Sequence, residues 1–355
     1  MQDVNILISS GGRRVALMEC CREALRDNGL SGKVFAVDNS AMAPAMYLAD
    51  RAWWVPRCTD PQFIEKMLAL SVRERVALII PTIDSELLTY AENRDMFLRN
   101  GVYVAISDPA TVRICRDKVL THLWLTENHF PTVRQSAPAE ILAARDGWAM
   151  PLIAKPRNGS ASKGVQLIRS FAELEALSSV RRDLIVQEVA PGVEYTINVF
   201  VDDLGRCGCA VPHERVEVRS GEVSKAITVK NRSLMDIGAS IAERLPGARG
   251  MLNIQVFRSA TGSLAVIEIN ARVGGGYPVA HRAGARYTHW LVENLVGSPS
   301  TAAFDTWEDD LVMLRYDSAV FQPGATIRGE LTAEERRQAI APSSASDRVI
   351  AAPVG

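Results

Sequence analysis

Through the first 110 residues, short apolar runs alternate with stretches whose apolar positions recur every three or four residues. That pattern predicts strands separated by helices. VNILIS (4–9) is a short buried strand, and Ser10-Gly11-Gly12-Arg13-Arg14 is the turn that leaves it. Val15, Leu17, Met18, Cys21 and Leu25 mark one face of a helix closed by Asn28-Gly29. VFAVD (34–38), ALIIP (77–81) and VYVAIS (102–107) are further strands, and a helix carrying Leu87, Leu88 and Ala91 follows Thr82-Ile83-Asp84-Ser85-Glu86. Strand and helix in succession predict a doubly wound parallel sheet. Ligands of such sheets sit beyond the carboxyl ends of the strands, which puts Gly11, Asp38 and the loop 82–86 on one rim. The order strand, glycine turn, helix, strand, acid is that of a nucleotide-binding βαβ unit, but G-x-G-x-x-G is absent. Ser10, Gly11 and Arg13 therefore read either as substrate-facing or as a plain connection. Asp84 and Glu86 read either as holders of a substrate ammonium or as helix caps.

Beyond residue 110 the style changes. A helix is expected over 113–128, with Asp117-Lys118 on its polar side. PLIAKPRNGSASKGVQLI (151–168) reads as strand, loop, strand, with Lys155 ending the first strand and small residues filling the loop. Small residues let backbone N–H groups approach an anion closely, and Lys155 adds a fixed positive charge. A flexible hairpin tip has the same composition, so both readings stand. DLIVQEVAPGVEYTINVFV (183–201) is a strand, a break at Pro191-Gly192 and a second strand. VEVRSGEVSK (216–225) is a hairpin or loop with Arg215, Arg219 and Lys225 basic enough to meet phosphate. Helices are expected over 233–245 and 286–297, a strand pair over 311–321, and a helix with a loose end from Gly329 onward.

The stretch 251–276 carries the most chemistry. Ile254 and Val256, then Leu264, Val266, Ile267 and Ile269, read as two strands joined at Ala260-Thr261-Gly262-Ser263. Gln255 sits on the first strand; Glu268 and Asn270, two apart on the second, share a face. One carboxylate and two amide oxygens make a hard-oxygen set suited to Mg²⁺, which completes its shell with phosphate and water. Arg272 and three glycines follow. A plain hairpin with a wet polar face is the alternative.

Composition narrows the field without deciding it. At 355 residues the chain is long enough for two or three domains, and a net charge of −1 makes no case for nucleic acid or an anionic membrane. No apolar run reaches transmembrane length and the N-terminus lacks a basic leader, so a cytoplasmic location is expected. The 6 cysteines and 5 histidines have no metal-site or disulfide spacing, and the thiols are expected to be reduced. A homodimer is the general expectation for a soluble enzyme.

Taken in order, three segments resemble an ATP-grasp ligase. They are K-P-x-N-G-S-x-S-x-G-V (155–165), V-Q-E with a following G-x-E (186–194), and Gln255 with E-I-N-x-R-x-G-G-G (268–276). The set is most similar to the branch around the carbamoyl-phosphate synthase large subunit and its smaller stand-alone relatives. The resemblance covers nearly the whole chain. It implies an α/β pre-ATP-grasp domain (1–112) with a doubly wound parallel sheet, an α+β ATP-grasp domain (113–328) with a lid about 130–186, and a tail (329–355). It implies that Lys118 and Lys155 meet the nucleotide phosphates under a lid loop containing Gly159, Ser160, Ser162 and Gly164. Gln187, Glu188 and Val189 would form the adenine hinge and Glu194 would hold the ribose. Gln255, Glu268 and Asn270 would hold Mg²⁺, with Mn²⁺ as a substitute, while Arg272 steadies the transferred phosphoryl group; Lys155 and Arg272 are the catalytic candidates.

The activity implied is ATP-dependent joining of a carboxylate and an amine, amino-acid-like small molecules, through an acyl phosphate. The chain lacks a second ATP-grasp half and a glutaminase-like segment, which argues against carbamoyl phosphate production. Bicarbonate as the acid, a silent ATP-binding regulator, and an oxidoreductase built on residues 1–110 are the competing readings. Arg215, Arg219, Tyr277 and His281 are candidates for binding a substrate carboxylate, or are surface and packing residues.

Overall fold

The computed structural model describes residues 3–159 and 163–324. The first part is built as the periodicity predicts. Its elements are β1 (Asn5–Ser9), α1 (Val15–Asp27), β2 (Val34–Asp38), α2 (Ala45–Leu48), β3 (Arg51–Trp54), α3 (Phe63–Arg73), β4 (Val76–Pro81), α4 (Asp84–Arg99) and β5 (Tyr103–Val104). All five strands are parallel in the order β3-β2-β1-β4-β5. The order reverses between β1 and β4, so the crevice of the sheet opens between their carboxyl ends. Leu7, Phe35, Val37 and Ile79 face α3 and α4 on one side of the sheet. On the other side Ile6, Ile8 and Ala36 join α1 in a core that continues into the rest of the chain. β3 was not legible because RAWW has no apolar alternation, and 102–107 supplies only two strand residues before Asp108-Pro109 turns the chain into a helix.

That helix, α5 (Pro109–Arg116), is separate from α6 (Lys118–Glu127), where the periodicity suggested one continuous element over 113–128. Asp117 makes the break. Its backbone is extended, and its carboxylate caps α6 by accepting from the N–H of Val119 at 2.9 Å. The other oxygen of Asp117 accepts from Arg157 Nε at 2.7 Å, so the break is pinned to the next sheet.

That next sheet is a small antiparallel layer. It comprises β6 (Gln135–Ser136), β7 (Leu152–Pro156), β8 (Gln166–Ile168) and β9 (Leu184–Glu188), in the order β6-β9-β7-β8. Helices α7 (Pro138–Ala143) and α8 (Phe171–Val180) cover one face, packing Ile141 and Leu174 against Leu152 and Val186.

The largest sheet follows. It holds β10 (Val193–Val201), β11 (Cys207–Arg219), β12 (Glu222–Thr228), β13 (Gly250–Arg258), β14 (Leu264–Asn270) and β15 (Val312–Leu314), antiparallel in the order β14-β13-β10-β11-β12-β15. Helices α9 (Arg232–Arg244), α10 (Tyr277–Arg282) and α11 (Tyr287–Val296) complete it. The 216–225 segment is the tip of a much longer hairpin. Only three residues of 311–321 form a strand. α11 lies against α1, so parallel and antiparallel sheets share one apolar core through Leu17, Met18, Trp290 and Leu291. The alternating parallel domain and the antiparallel α+β domain match the predicted fold class. The expectation for 329–355 lies outside the described residues.

Candidate active site

The site is organised by the β13–β14 hairpin. Gln255 stands directly across from Glu268, and Asn253 across from Asn270. Pairing then slips, with Val256 opposite Val266, so Ile267 is the extra residue of a β-bulge. This explains the two adjacent apolar residues in the sequence: Val266 is fully buried, while Ile267 is turned to line a cleft beside Glu268. Asn270 donates to Asn253 Oδ1 at 3.2 Å, and Asn253 donates to the Arg272 carbonyl at 3.0 Å. Asn270 Oδ1 accepts from Arg272 Nη2 at 3.3 Å.

Two cavities meet over this hairpin. The first, of about 260 Å³, runs between the four-stranded and six-stranded sheets. Ile153, Val165, Phe257 and Ile267 supply apolar walls, and Lys118, Lys155, Gln187, Glu188, Glu194, Gln255 and Glu268 the polar ones. An apolar slot with a few converging charged groups is the usual form of a small-molecule site. Lys155 is 7% exposed, and its burial pushes the ammonium pKa down to about 8, against the pull of Glu268. Lys118 donates to the Gly159 carbonyl at 2.8 Å and lies 3.8 Å from Glu268 Oε1. Two cations close to one carboxylate leave an excess of positive charge at this end of the cleft.

The second cavity, of about 290 Å³, lies toward the parallel sheet and shares Glu194, Gln255 and Glu268 with the first. Arg14, Asp84, Arg215, Glu222, Asn270 and Arg272 line it as well. Arg272 grips Asp84, the first residue of α4, with Nε–Oδ1 at 3.0 Å and Nη2–Oδ2 at 2.9 Å. Two residues on, Glu86 is fully buried at the strand-order reversal. The Glu86 carboxylate accepts from the Ser9 and Ser10 hydroxyls at 2.6 and 2.8 Å and from the Thr82 N–H at 2.8 Å, tying β1 to β4. Burial raises the pKa of Glu86, and the hydrogen bonds oppose that rise.

Residues 115–276 match the family described as ATP-grasp domain, and residues 6–105 match the one described as PylC-like, N-terminal domain. The chain belongs to the ATP-grasp superfamily. Among solved structures, the biotin carboxylase domain of Hydrogenobacter thermophilus 2-oxoglutarate carboxylase, in complex with MgADP, ADP and bicarbonate, has a TM-score of 0.69 at 15% identity, covering 88% of this chain and 74% of that one. N5-carboxyaminoimidazole ribonucleotide synthetase from Thermotoga maritima has a TM-score of 0.62 at 19% identity, covering 84% and 77%. Biotin carboxylase from Campylobacter jejuni has a TM-score of 0.67 at 14% identity, covering 87% and 74%. No curated protein matches the chain. Its ATP-grasp domain marks ATP as its nucleotide.

Of the residues singled out from the ATP-grasp segments, Lys118, Lys155, Gly159, Gln187, Glu188, Val189, Glu194, Gln255 and Glu268 all line the first cavity. Asn270 and Arg272 stand in the adjoining one. Gly164 does not line the first cavity; it turns with φ +75° beside Pro156 and Arg181, and its neighbour Lys163 lines the cavity instead. Ser160 and Ser162 lie outside the described residues. Glu194 is 2.9 Å from Arg215 Nε, without the alignment of a hydrogen bond.

Several candidates are displaced from the chemistry. Tyr277 and His281 are core residues: their side chains bond each other at 3.1 Å, and His281 Nε2 meets Glu23 at 2.7 Å. Arg219 and Lys225 pair with Glu217 on the outer hairpin and line neither cavity. Asp84 neither caps α4 nor lies free for an ammonium, because Arg272 occupies both its oxygens. Glu86 does cap α4, accepting from the Ile83 N–H at 3.2 Å, and with Thr82, Ser9 and Ser10 also on its oxygens it is not free for an ammonium. Asp38 accepts from the Gly12 and Ser40 N–H groups, which makes it a turn residue. Three residues of the second cavity escaped notice: Arg14, Asn253 and Glu222. The only signal for Arg14 was its place directly after the glycine turn.

Proposed function

We propose that this ATP-grasp ligase joins a small carboxylic acid to an amine, giving an amide, ADP and phosphate through an acyl phosphate. The observation that carries the reading is the meeting of the two cavities at Glu194, Gln255 and Glu268. A nucleotide in the first presents its phosphates to whatever fills the second. Lys118 and Lys155 hold those phosphates, and residues 130–186 act as the lid that keeps water from the reactive mixed anhydride. The hinge around Glu188 and Val189 holds the adenine, and Glu194 the ribose.

The hairpin fits Mg²⁺ by its donor chemistry. Among the described residues no group of three or more His, Cys, Asp or Glu forms a self-sufficient metal centre. Glu268 with the amide oxygens of Gln255 and Asn270 is a partial hard-oxygen set that leaves room for phosphate oxygens, as Mg²⁺ prefers. When bound, the ion neutralises charge on the phosphates. Mn²⁺ suits the same donors. The substrate carboxylate attacks the γ-phosphorus and the bond from that phosphorus to the ADP oxygen breaks, while Arg272, held by Asp84, stabilises charge on the transferring group. The amine then adds to the acyl carbon, the C–O bond to phosphate breaks and a proton is lost from nitrogen. Positioning and fixed charge do this work; no side-chain nucleophile is used.

Bicarbonate in place of the organic acid would keep the chemistry, but a second cavity of about 290 Å³ lined by seven charged side chains suits a larger, polar acid. The test is ADP and phosphate release with Mg²⁺-ATP over a panel of acids, each alone and then with amines. Release that needs an acid and rises with an amine supports the ligase. Release with bicarbonate alone, or tight ATP binding with no turnover over a broad panel, would overturn it.

A further inference from the structure

Three arginines from two segments converge on Glu222, which lines the second cavity. Arg14 Nη2, from the turn after β1, is 3.2 Å from Oε1; Arg315 Nη1, just past β15, is 3.3 Å from Oε2; Arg13 Nη2 is 3.9 Å from Oε2. One carboxylate cannot accept from every N–H of three guanidinium groups, so donors are left over. Arg315 is fixed by its other bonds, donating to the carbonyls of Val223 at 3.2 Å and Gly275 at 3.0 Å. Arg14 is different. Its side chain is 16% exposed, yet no hydrogen bond from its guanidinium occurs among the described residues, and it faces the cavity.

The opposite wall is shaped to keep this space open. A Cβ at position 275 would come within 2.9 Å of Arg14 Nη1 and 3.1 Å of the Glu222 carboxyl carbon, so only glycine leaves the guanidinium where it is. Arg215, 8% exposed on its side chain, also lines the cavity, with its Nε 2.9 Å from Glu194 and its Nη1 donating to Thr196 Oγ1 at 3.3 Å. Guanidinium N–H groups that face the cavity and are not taken up by Glu222 can donate to a ligand oxygen.

We propose that this end of the second cavity, with Arg14 as its principal donor, binds a carboxylate that takes no part in the reaction. The inference rests on the ligase reading and adds a substrate class to it: one of the two substrates keeps a free carboxylate beyond its reacting group. It is either a dicarboxylic acid or an amino acid entering as the amine. Glu222 acts here as a counter-charge that keeps the arginines in place between turnovers.

The test is calorimetry on the full chain saturated with a non-hydrolysable ATP analogue and Mg²⁺. Glutarate is compared with butyrate for the acid, and 4-aminobutyrate with butylamine for the amine. At least one pair should show a roughly tenfold or greater preference for the probe with the extra carboxylate, and which pair does so identifies the source. Arg14→Gln should abolish the preference while binding the analogue as wild type does, and Glu222→Gln should keep or increase it. Absence of preference in both pairs, or a preference unchanged by Arg14→Gln, would overturn the assignment. If Arg14→Gln folds poorly, Gly275→Ala, which crowds the same guanidinium from the facing loop, should reduce the preference. Failure of wild type to bind the analogue would instead refute the ligase reading.

Discussion

The guanidinium of Arg272 and the carboxylate of Asp84 meet in two parallel hydrogen bonds although 188 residues separate them in the chain. Arg272 comes from just past β14 in the antiparallel domain and Asp84 from the start of α4 in the parallel one. Both are mostly buried, at 13% and 23% side-chain exposure, so the fork sets the direction of the guanidinium. The parallel domain thus positions a group that the ATP-grasp segment only supplies.

Asp84→Asn should therefore act on turnover more than on nucleotide binding. With the fork reduced to one bond, Arg272 can rotate, and kcat should fall roughly ten- to a hundredfold. The affinity for ATP, measured by calorimetry, should change little. Asp84→Ala should in addition lower stability by about 3 kcal/mol in urea unfolding, because it leaves a buried charge unpaired.

Lys155 gives a pH dependence with a definite sign. Burial holds its pKa at about 8 in the ligand-free protein, below its ordinary value. The charged form that attracts phosphate is complete below about pH 7 and is lost as pH rises through 8. ATP affinity should be flat below pH 7 and weaken by up to about tenfold per pH unit above 8. Lys155→Met should bind ATP weakly at every pH and lose this slope. A slope retained by the variant would assign it to another group.

Removing the Glu268 carboxylate should show in the metal requirement. Glu268→Gln keeps the hydrogen-bonding shape but withdraws the only formal charge from the proposed metal ligands. The Mg²⁺ concentration for half-maximal ADP release should rise at least tenfold, with kcat falling by roughly a hundredfold or more. Wild-type Mg²⁺ dependence in the variant would exclude the hairpin as the metal site.

His213 should make the protein acid-sensitive. It is fully buried on β11, its Nδ1 meets the Asn198 amide at 3.1 Å, and burial together with Arg215 pushes its pKa down to about 3. The unfolded chain takes up this proton near pH 6.5 and the folded chain near 3. Stability is therefore lost progressively as pH falls between those values, by roughly 2 kcal/mol at pH 5. The urea midpoint of His213→Gln should fall less between pH 7 and pH 5 than that of wild type.

The sequence alone determined the local order of this protein: the alternation that makes the parallel sheet, the small-residue loop after Lys155, and the hairpin bearing Gln255, Glu268 and Asn270. These were legible because strand and helix periods are short-range, and because two residues two apart on a strand must share a face. The Val266-Ile267 pair read as ordinary strand alternation, and only strand pairing shows it to be a bulge that turns Ile267 into the cleft. Partnerships across the chain were decided by the tertiary structure alone. Asp84 looked like a helix cap until Arg272 was placed over it, Tyr277 and His281 looked like ligand groups until α1 covered them, and Arg14 was one more turn residue until Glu222 came beside it. Spacing along a strand dictates which way a side chain leaves the backbone. Whether it meets a ligand, a counter-charge or the core depends on what the rest of the chain packs against that face, and no local pattern encodes that.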